Sequence, residues 1–184
     1  MFLKIIRSLP ALALMLIFTS NAQAKSVSDL ACEAVLCLSS SYTPTECNPS
    51  LKHYYDIRVY RKGVFNWART LNARKAFLNL CVPVTLKTET ADMPKLIDDI
   101  VNAVERCSAT QLNSRLREIR TKRVCNYVGG DAGEVCSSVQ YYVVSDKKPN
   151  YCSAYESNEL TDIIPTHYVG DPENGGRWVE GKVN

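Results

Sequence analysis

The sequence predicts a mainly α-helical domain, stapled by disulfides, with a small β-hairpin region toward its C-terminal end. Three observations carry that expectation. Apolar residues recur at helical spacing between Ser26 and about Arg120. Eight cysteines lie downstream of a leader-like N-terminus, the pattern of a disulfide framework formed outside the reducing cytosol. Beyond Arg120, β-branched and aromatic residues collect between glycine-rich turns, which is strand composition.

The leader reads in three pieces. Lys4 and Arg7 form a positive n-region, Ala11 to Phe18 an apolar h-region, and Ala22-Gln23-Ala24 a small-x-small cleavage site. Residues 1–24 are therefore expected to be a signal peptide cleaved after Ala24, leaving residues 25–184 as a single disulfide-rich periplasmic domain. The apolar run is about half the ~20 residues that a spanning helix needs. Leu30-Ala31-Cys32 could pass for the end of a lipobox, but Asp29 stands where an apolar residue belongs and Cys32 lies far beyond the h-region. Of the 22 basic residues two are in the leader, so the mature chain carries 20 basic against 19 acidic residues. That near-neutral balance gives no whole-protein argument for nucleic acid. A mature chain of this length buries its own core, and each disulfide adds on the order of 2–4 kcal/mol.

The elements follow in order. Ser26-Val27-Ser28-Asp29 fits a capping box and opens a helix through Leu38 that is apolar almost all round, hence expected to be central. Thr43-Pro44-Thr45-Glu46 is a second cap signature interrupted by Pro49, and Asn48-Pro49 opens a short helix through Tyr55. Arg58 to Gly63 is basic and loop-like. Asn66 caps a helix from Trp67 to about Leu80, with Trp67, Leu71, Leu78 and Cys81 on one face and Pro83 as its stop. Asp92 and Pro94 start the most regular helix, where Ile97, Ile100, Val101, Val104 and Cys107 recur and Asp98, Asp99 and Glu105 turn outward. Leu112, Leu116 and Ile119 continue as a shorter basic helix. Val135 to Val144 reads as a strand, paired with Lys122 to Val128 across Gly129–Gly133. Asp146 to Asn150 is a second turn, and Gly170 to Gly176 a reverse turn between two extended pieces.

The eight cysteines are Cys32, Cys37, Cys47, Cys81, Cys107, Cys125, Cys136 and Cys152. They admit roughly a hundred connectivities, among which sequence cannot choose. Cys32 and Cys37 lie on one helix, so each is expected to bond another element. No C-x-x-C motif supports redox chemistry, and the spacing suits no zinc site. No phosphate-cradling loop supports an NTPase. His53 and His167, the only histidines, have no flanking motif of a hydrolase. No cofactor, metal or catalytic residue is expected.

Glu33 lies on the most apolar helix, next to Cys32. A buried acid is how a glycosidase on cell-wall glycan would protonate its leaving group, but no second carboxylate is placed to assist it. Two basic patches remain, Arg58-Arg61-Lys62 and Arg115-Arg117-Arg120-Lys122-Arg123, each of which reads first as a solvated face. Aromatic and basic residues mix between Lys52 and Trp67. Lys52, His53, Tyr54, Tyr55, Arg58, Tyr60, Arg61 and Trp67 are the candidate protein-contact residues.

Several segments carry a resemblance. Ala31–Ser40 (ACEAVLCLSS), Glu46-Cys47, Pro49–Ile57 (PSLKHYYDI) and Trp67–Leu80 leading into Cys81 and Pro83 are similar to the TrbM/KikA (MpfK) family of conjugal transfer proteins. So are Tyr151–Tyr155 (YCSAY), Tyr168-Val169-Gly170 and Gly176–Val179 (GRWV). Where the family pattern sets Pro directly after the cysteine that follows the third helix, Val82 intervenes here. The resemblance implies an exported accessory component of plasmid conjugation, associated with mating pair formation and type IV secretion. Its partners would be proteins of that apparatus, and its role non-catalytic binding or assembly. A cell-wall-glycan enzyme using Glu33 and a toxin acting on host or recipient cells are the alternatives.

Overall fold

The computed structural model describes residues 25–81, 92–130 and 133–181. The expected leader over residues 1–24, the stop at Pro83 and part of the Gly129–Gly133 turn lie outside the described residues. In chain order the elements are α1 (Val27–Leu38), α2 (Asn48–Asp56), β1 (Tyr60–Arg61), β2 (Val64–Phe65), α3 (Trp67–Leu78), α4 (Asp92–Ala103) and α5 (Ala109–Arg115). Then come β3 (Arg117–Tyr127), β4 (Glu134–Val144), α6 (Asn150–Glu156), β5 (Thr166–Val169) and β6 (Arg177–Glu180). The strands form three separate antiparallel hairpins, β1–β2, β3–β4 and β5–β6. The mainly helical expectation thus holds in part: six helices build the body, and strand is more plentiful than one small hairpin region.

Helix α1 starts as the capping box requires. The Ser26 hydroxyl accepts from the Asp29 N–H and the Asp29 carboxylate accepts from the Ser26 N–H, both at 3.1 Å. These bonds hold the Asp29 carboxyl below its ordinary pKa. Ala31, Ala34, Val35, Cys37 and Leu38 are buried, and the alanines let neighbouring helices approach closely. Helix α1 packs on α2, α3 and α4, so it is central as expected. It is not buried all round, because Leu36 remains 71% exposed. On α3 the buried face is Thr70, Arg74, Phe77 and Leu78, while Trp67, Leu71 and Cys81 are only half-buried. That corrects the expected face by part of a turn. Phe77 and Leu78 join Ile97 and Ile100 of α4, Leu112 of α5 and Trp178 of β6 in one core.

All eight cysteines are paired: Cys32–Cys81, Cys37–Cys47, Cys107–Cys152 and Cys125–Cys136. Cys32 and Cys37 do reach other elements, the turn after α3 and the one before α2. The Cys107–Cys152 bond joins the turn after α4 to α6, a short helix where the sequence predicts only a turn over Asp146–Asn150.

Two further expectations change. The stretch Arg58–Gly63 is not loop but the first half of a hairpin, with Tyr60 opposite Phe65 and Arg61 opposite Val64. Its turn residues Lys62 and Gly63 both have positive φ, 51° and 79°, the conformation that matches the twist of two-residue hairpins. The expected basic helix through Ile119 ends at Arg115, and Arg117 to Tyr127 is strand. Pairing with β4 along all eleven residues overrides the helical spacing of Leu112, Leu116 and Ile119, because strand preference is decided by cross-strand neighbours. The C-terminal hairpin matches expectation, β5 and β6 flanking a 3₁₀ turn at Pro172–Asn174. It docks on α5 through Asn113, which exchanges bonds of 2.8 and 2.9 Å with the Trp178 backbone.

Candidate functional site

One end of the helical body gathers aromatic rings around a buried guanidinium. Asn66 caps α3 by accepting the Arg69 N–H at 3.0 Å, which fixes Trp67 as the first helical residue. Arg74 lies two turns on, along the same face, and its side chain is 3% exposed. Its Nη1 donates to Glu105 at 2.5 Å and its Nη2 to the other carboxylate oxygen at 3.4 Å, the bidentate pairing a guanidinium suits. Nε and Nη2 also donate at 3.3 Å to the carbonyls of Ile57 and Tyr55. These are orphan acceptors at the C-terminal end of α2, where a cation also complements the helix dipole. The guanidinium sits 4.8 Å from the Tyr54 ring centre, 5.7 Å from Tyr55 and 5.9 Å from Trp67.

Burial pushes the Tyr54 hydroxyl well above the ordinary phenol range, with Arg74 opposing the shift. Tyr55 is raised for the same reason, and the Glu105 carboxylate adds to it. Arg106 lies 4.1 Å over the Tyr151 ring and 6.0 Å from Trp67, so Trp67 stands between two cations. The β1–β2 hairpin is tied to this helix at its base. Thr70 Oγ1 accepts the Val59 N–H at 2.9 Å and donates to the Asn66 carbonyl at 2.9 Å.

The outcome is a cleft of about 280 Å³ lined by Arg58, Tyr60, Phe65, Trp67, Arg74 and Glu105. A neighbouring hollow shares Trp67 and Glu105 and extends to Gln111 and Arg115. Aromatics that are exposed or half-buried beside arginine, as Tyr60, Phe65 and Trp67 are here, are the composition of interface anchors. Of the candidate contact residues, Arg58, Tyr60 and Trp67 line this cleft, and Tyr55 stands behind Arg74. Arg61 is exposed at the hairpin turn. Lys52 and His53 are exposed on α2, where Lys52 pairs with Asp56 and His53 stacks at 4.7 Å on Phe77. Tyr54 is wholly buried and cannot touch a partner, which corrects its inclusion. Phe65, Arg74, Glu105 and Arg106 were missed. Phe65 could have been found from the Lys62-Gly63 turn between apolar residues, but nothing local marks Arg74 and Glu105 as a pair.

The other candidates disperse. Glu33 pairs with Lys25 at 2.6 Å, and its side chain is 21% exposed. His167 Nδ1 lies 2.9 Å from the Gly181 carbonyl. The dense basic patch is divided by strand alternation: Arg117 and Arg123 are on one face of β3, Arg120 and Lys122 on the other.

The model of the TrbM family matches residues 25–184. The chain belongs to the TrbM family. No curated protein and no solved structure matches it. The match spans the whole expected mature chain of this TrbM protein, including every cysteine and the aromatic cleft. TrbM proteins are associated with conjugal transfer, which supports a conjugation-related role. Among the described residues of this TrbM protein no helix is long and apolar enough to cross a membrane.

Proposed function

We propose that the chain is an exported, non-catalytic accessory component of conjugal transfer that binds a protein partner of a type IV secretion apparatus through the cleft at Trp67. Membership of the TrbM family is the observation that carries the transfer role. The export part is supported by eight cysteines closed into four disulfides and by a family match that begins at Lys25, directly after the expected cleavage site. A periplasmic location follows from that reading. The contact face is supported by the cleft itself, where Tyr60 is 57% and Phe65 42% exposed beside a half-buried Trp67, aromatic rings of the kind enriched at interfaces. Arg58, which lines the cleft, favours a partner with an acidic group beside its apolar centre.

The test is conjugation frequency from donors lacking only this gene, resupplied with the intact gene or with variants. Trp67→Ala together with Tyr60→Ala should keep the protein folded yet lower transfer by about tenfold or more, the loss of one to two anchors. Glu33→Gln should transfer normally, whereas its loss with intact folding would favour the glycan enzyme. Normal transfer without the gene would overturn the proposal altogether.

A further inference from the structure

The hairpin β3–β4 projects from the body as a two-stranded ribbon, and its two edges differ. At its root the Ser145 N–H bonds the Leu116 carbonyl at 2.9 Å, and at its tip the Val128 N–H bonds the Gly133 carbonyl at 3.1 Å. Antiparallel pairs exchange bonds at every second position. These two anchors therefore assign Glu118/Val143, Arg120/Tyr141, Lys122/Val139, Val124/Ser137 and Asn126/Val135 as the bonded pairs of the register. The even-numbered residues of β4 turn their N–H and C=O groups away from β3. Tyr168 takes the outward carbonyl of Val144 at 2.7 Å. Among the described residues no backbone partner takes those of Cys136, Ser138, Gln140 and Tyr142.

An open edge of this length is normally guarded by charge, proline or a bulge. Strand β3 is guarded by Arg117, Glu118, Arg120, Lys122 and Arg123. Strand β4 has no charged residue after Glu134. Beside its open edge runs a row of Val135, Ser137, Val139 and Tyr141, with Val135 53% and Val139 41% exposed. Three cations of β3 are already engaged: Arg117 over Tyr142 at 4.5 Å, Lys122 over Tyr141 at 5.1 Å, and Arg120 on Glu173.

We infer that the open edge of β4 pairs antiparallel with β4 of a second copy of this chain, closing a four-stranded sheet β3–β4–β4–β3. The free run from Glu134 to Tyr142 is centred on Ser138, so the two-fold axis passes there. Cys136 then exchanges bonds with Gln140 of the second copy. On one face Val135 meets Tyr141 and Ser137 meets Val139, the β-branched and aromatic pairs that stabilise sheets. On the other face Glu134 falls opposite Tyr142 of the second copy, beside the Arg117 that caps that ring. The charges of β4 and β3 are thus complementary across the pairing. Like-charged β3 strands are kept at the two outer edges, where pairing through β3 would bring them together. Two more strands also give the ribbon the width that an isolated hairpin lacks.

Sedimentation velocity of residues 25–184 with their disulfides formed tests this directly, with amide exchange as the register readout. The dimer should show Ser138, Gln140 and Cys136 amides exchanging at least ~10-fold more slowly at high than at low protein concentration. Ser138→Pro removes an outward donor and no β3–β4 bond, and Ser137→Lys, which faces Val124 within its own chain, places like charges on both sides of the axis. Each should weaken self-association by about 100-fold or more, with the Cys125–Cys136 bond and the body unchanged. A chain that stays monomeric at every concentration overturns the inference. So does a dimer that both variants leave intact, or one in which the odd-numbered β3 amides are protected instead.

Discussion

At the scale of single residues, Arg74 has the most to lose. It joins four things that are far apart in sequence: the end of α2, the Trp67 ring, the Tyr54 ring and Glu105 beyond α4. Replacing it with alanine leaves the Glu105 carboxylate without its guanidinium and the Ile57 and Tyr55 carbonyls without donors. Breaking a buried pair from one side costs about 3–5 kcal/mol. Glu105 is 32% exposed, so water recovers part of that loss and about 3 kcal/mol is expected. Arg74→Lys should recover less than half of it, since an ammonium cannot bridge a carboxylate and two carbonyls in one plane. Urea unfolding of the three proteins measures this. A loss below about 1 kcal/mol for Arg74→Ala would mean the pair behaves as a surface ion pair.

At the scale of elements, the four disulfides do unequal work. Cys107–Cys152 closes a separation of 45 residues and fastens α6, a seven-residue helix too short to hold itself. Chain-entropy reasoning gives this bond ~4 kcal/mol. Cys125–Cys136 spans only 11 residues and lies across a non-bonded pair of the ribbon, remote from the core. Replacing Cys107 and Cys152 by alanine should lower the melting temperature of the whole body by more than ~10 °C. Replacing Cys125 and Cys136 should leave that temperature almost unchanged and speed amide exchange in the ribbon alone. Equal losses from both replacements would show that the ribbon is part of the cooperative core.

The same elements show what a sequence can and cannot declare. The caps at Ser26 and Asn66 and the run Val135–Val144 are local signals, and each element forms where its signal stands, whereas α4 ends at Ala103, before Val104 and Cys107 of its expected apolar repeat. The boundary between α5 and β3 is not local. Leu112, Leu116 and Ile119 keep helical spacing, and arginine is a good helix former; only the register with β4 turns Arg117–Tyr127 into strand. The cleft follows the same logic. Trp67, Tyr60 and Arg58 announce themselves by composition, while Arg74 and Glu105 acquire meaning only when α3 and α4 pack. Tyr54 looked like a surface ring beside Lys52 and His53 because a short helix gives too few turns to tell its buried side.

At the scale of the whole molecule, the chain is a helical body carrying one ribbon, and the ribbon is anchored by its root. Trp178 Nε1 donates to the Ser145 carbonyl at 3.0 Å, Tyr168 to Val144 at 2.7 Å, and Arg120 and Tyr141 both reach Glu173. Those two bonds and the cation hold the Glu173 carboxyl below its ordinary pKa, so the clamp stays charged at neutral pH. None of the residues from Thr121 to Val128 or from Gly133 to Gln140 is buried, so the distal ribbon contributes little to the body's core. Lys122 and Val139 form a bonded pair, the position at which a two-residue Asn-Gly turn closes a hairpin. Replacing residues 123–138 with Asn-Gly removes both ribbon cysteines together and leaves the other three disulfides intact. The shortened protein should melt within about 2–4 °C of the intact one yet sediment as a monomer at every concentration. Folding and self-association then belong to different parts of one chain. A shortened protein that fails to fold would place the ribbon within the body's own stability, and its open edge would be a by-product of that role.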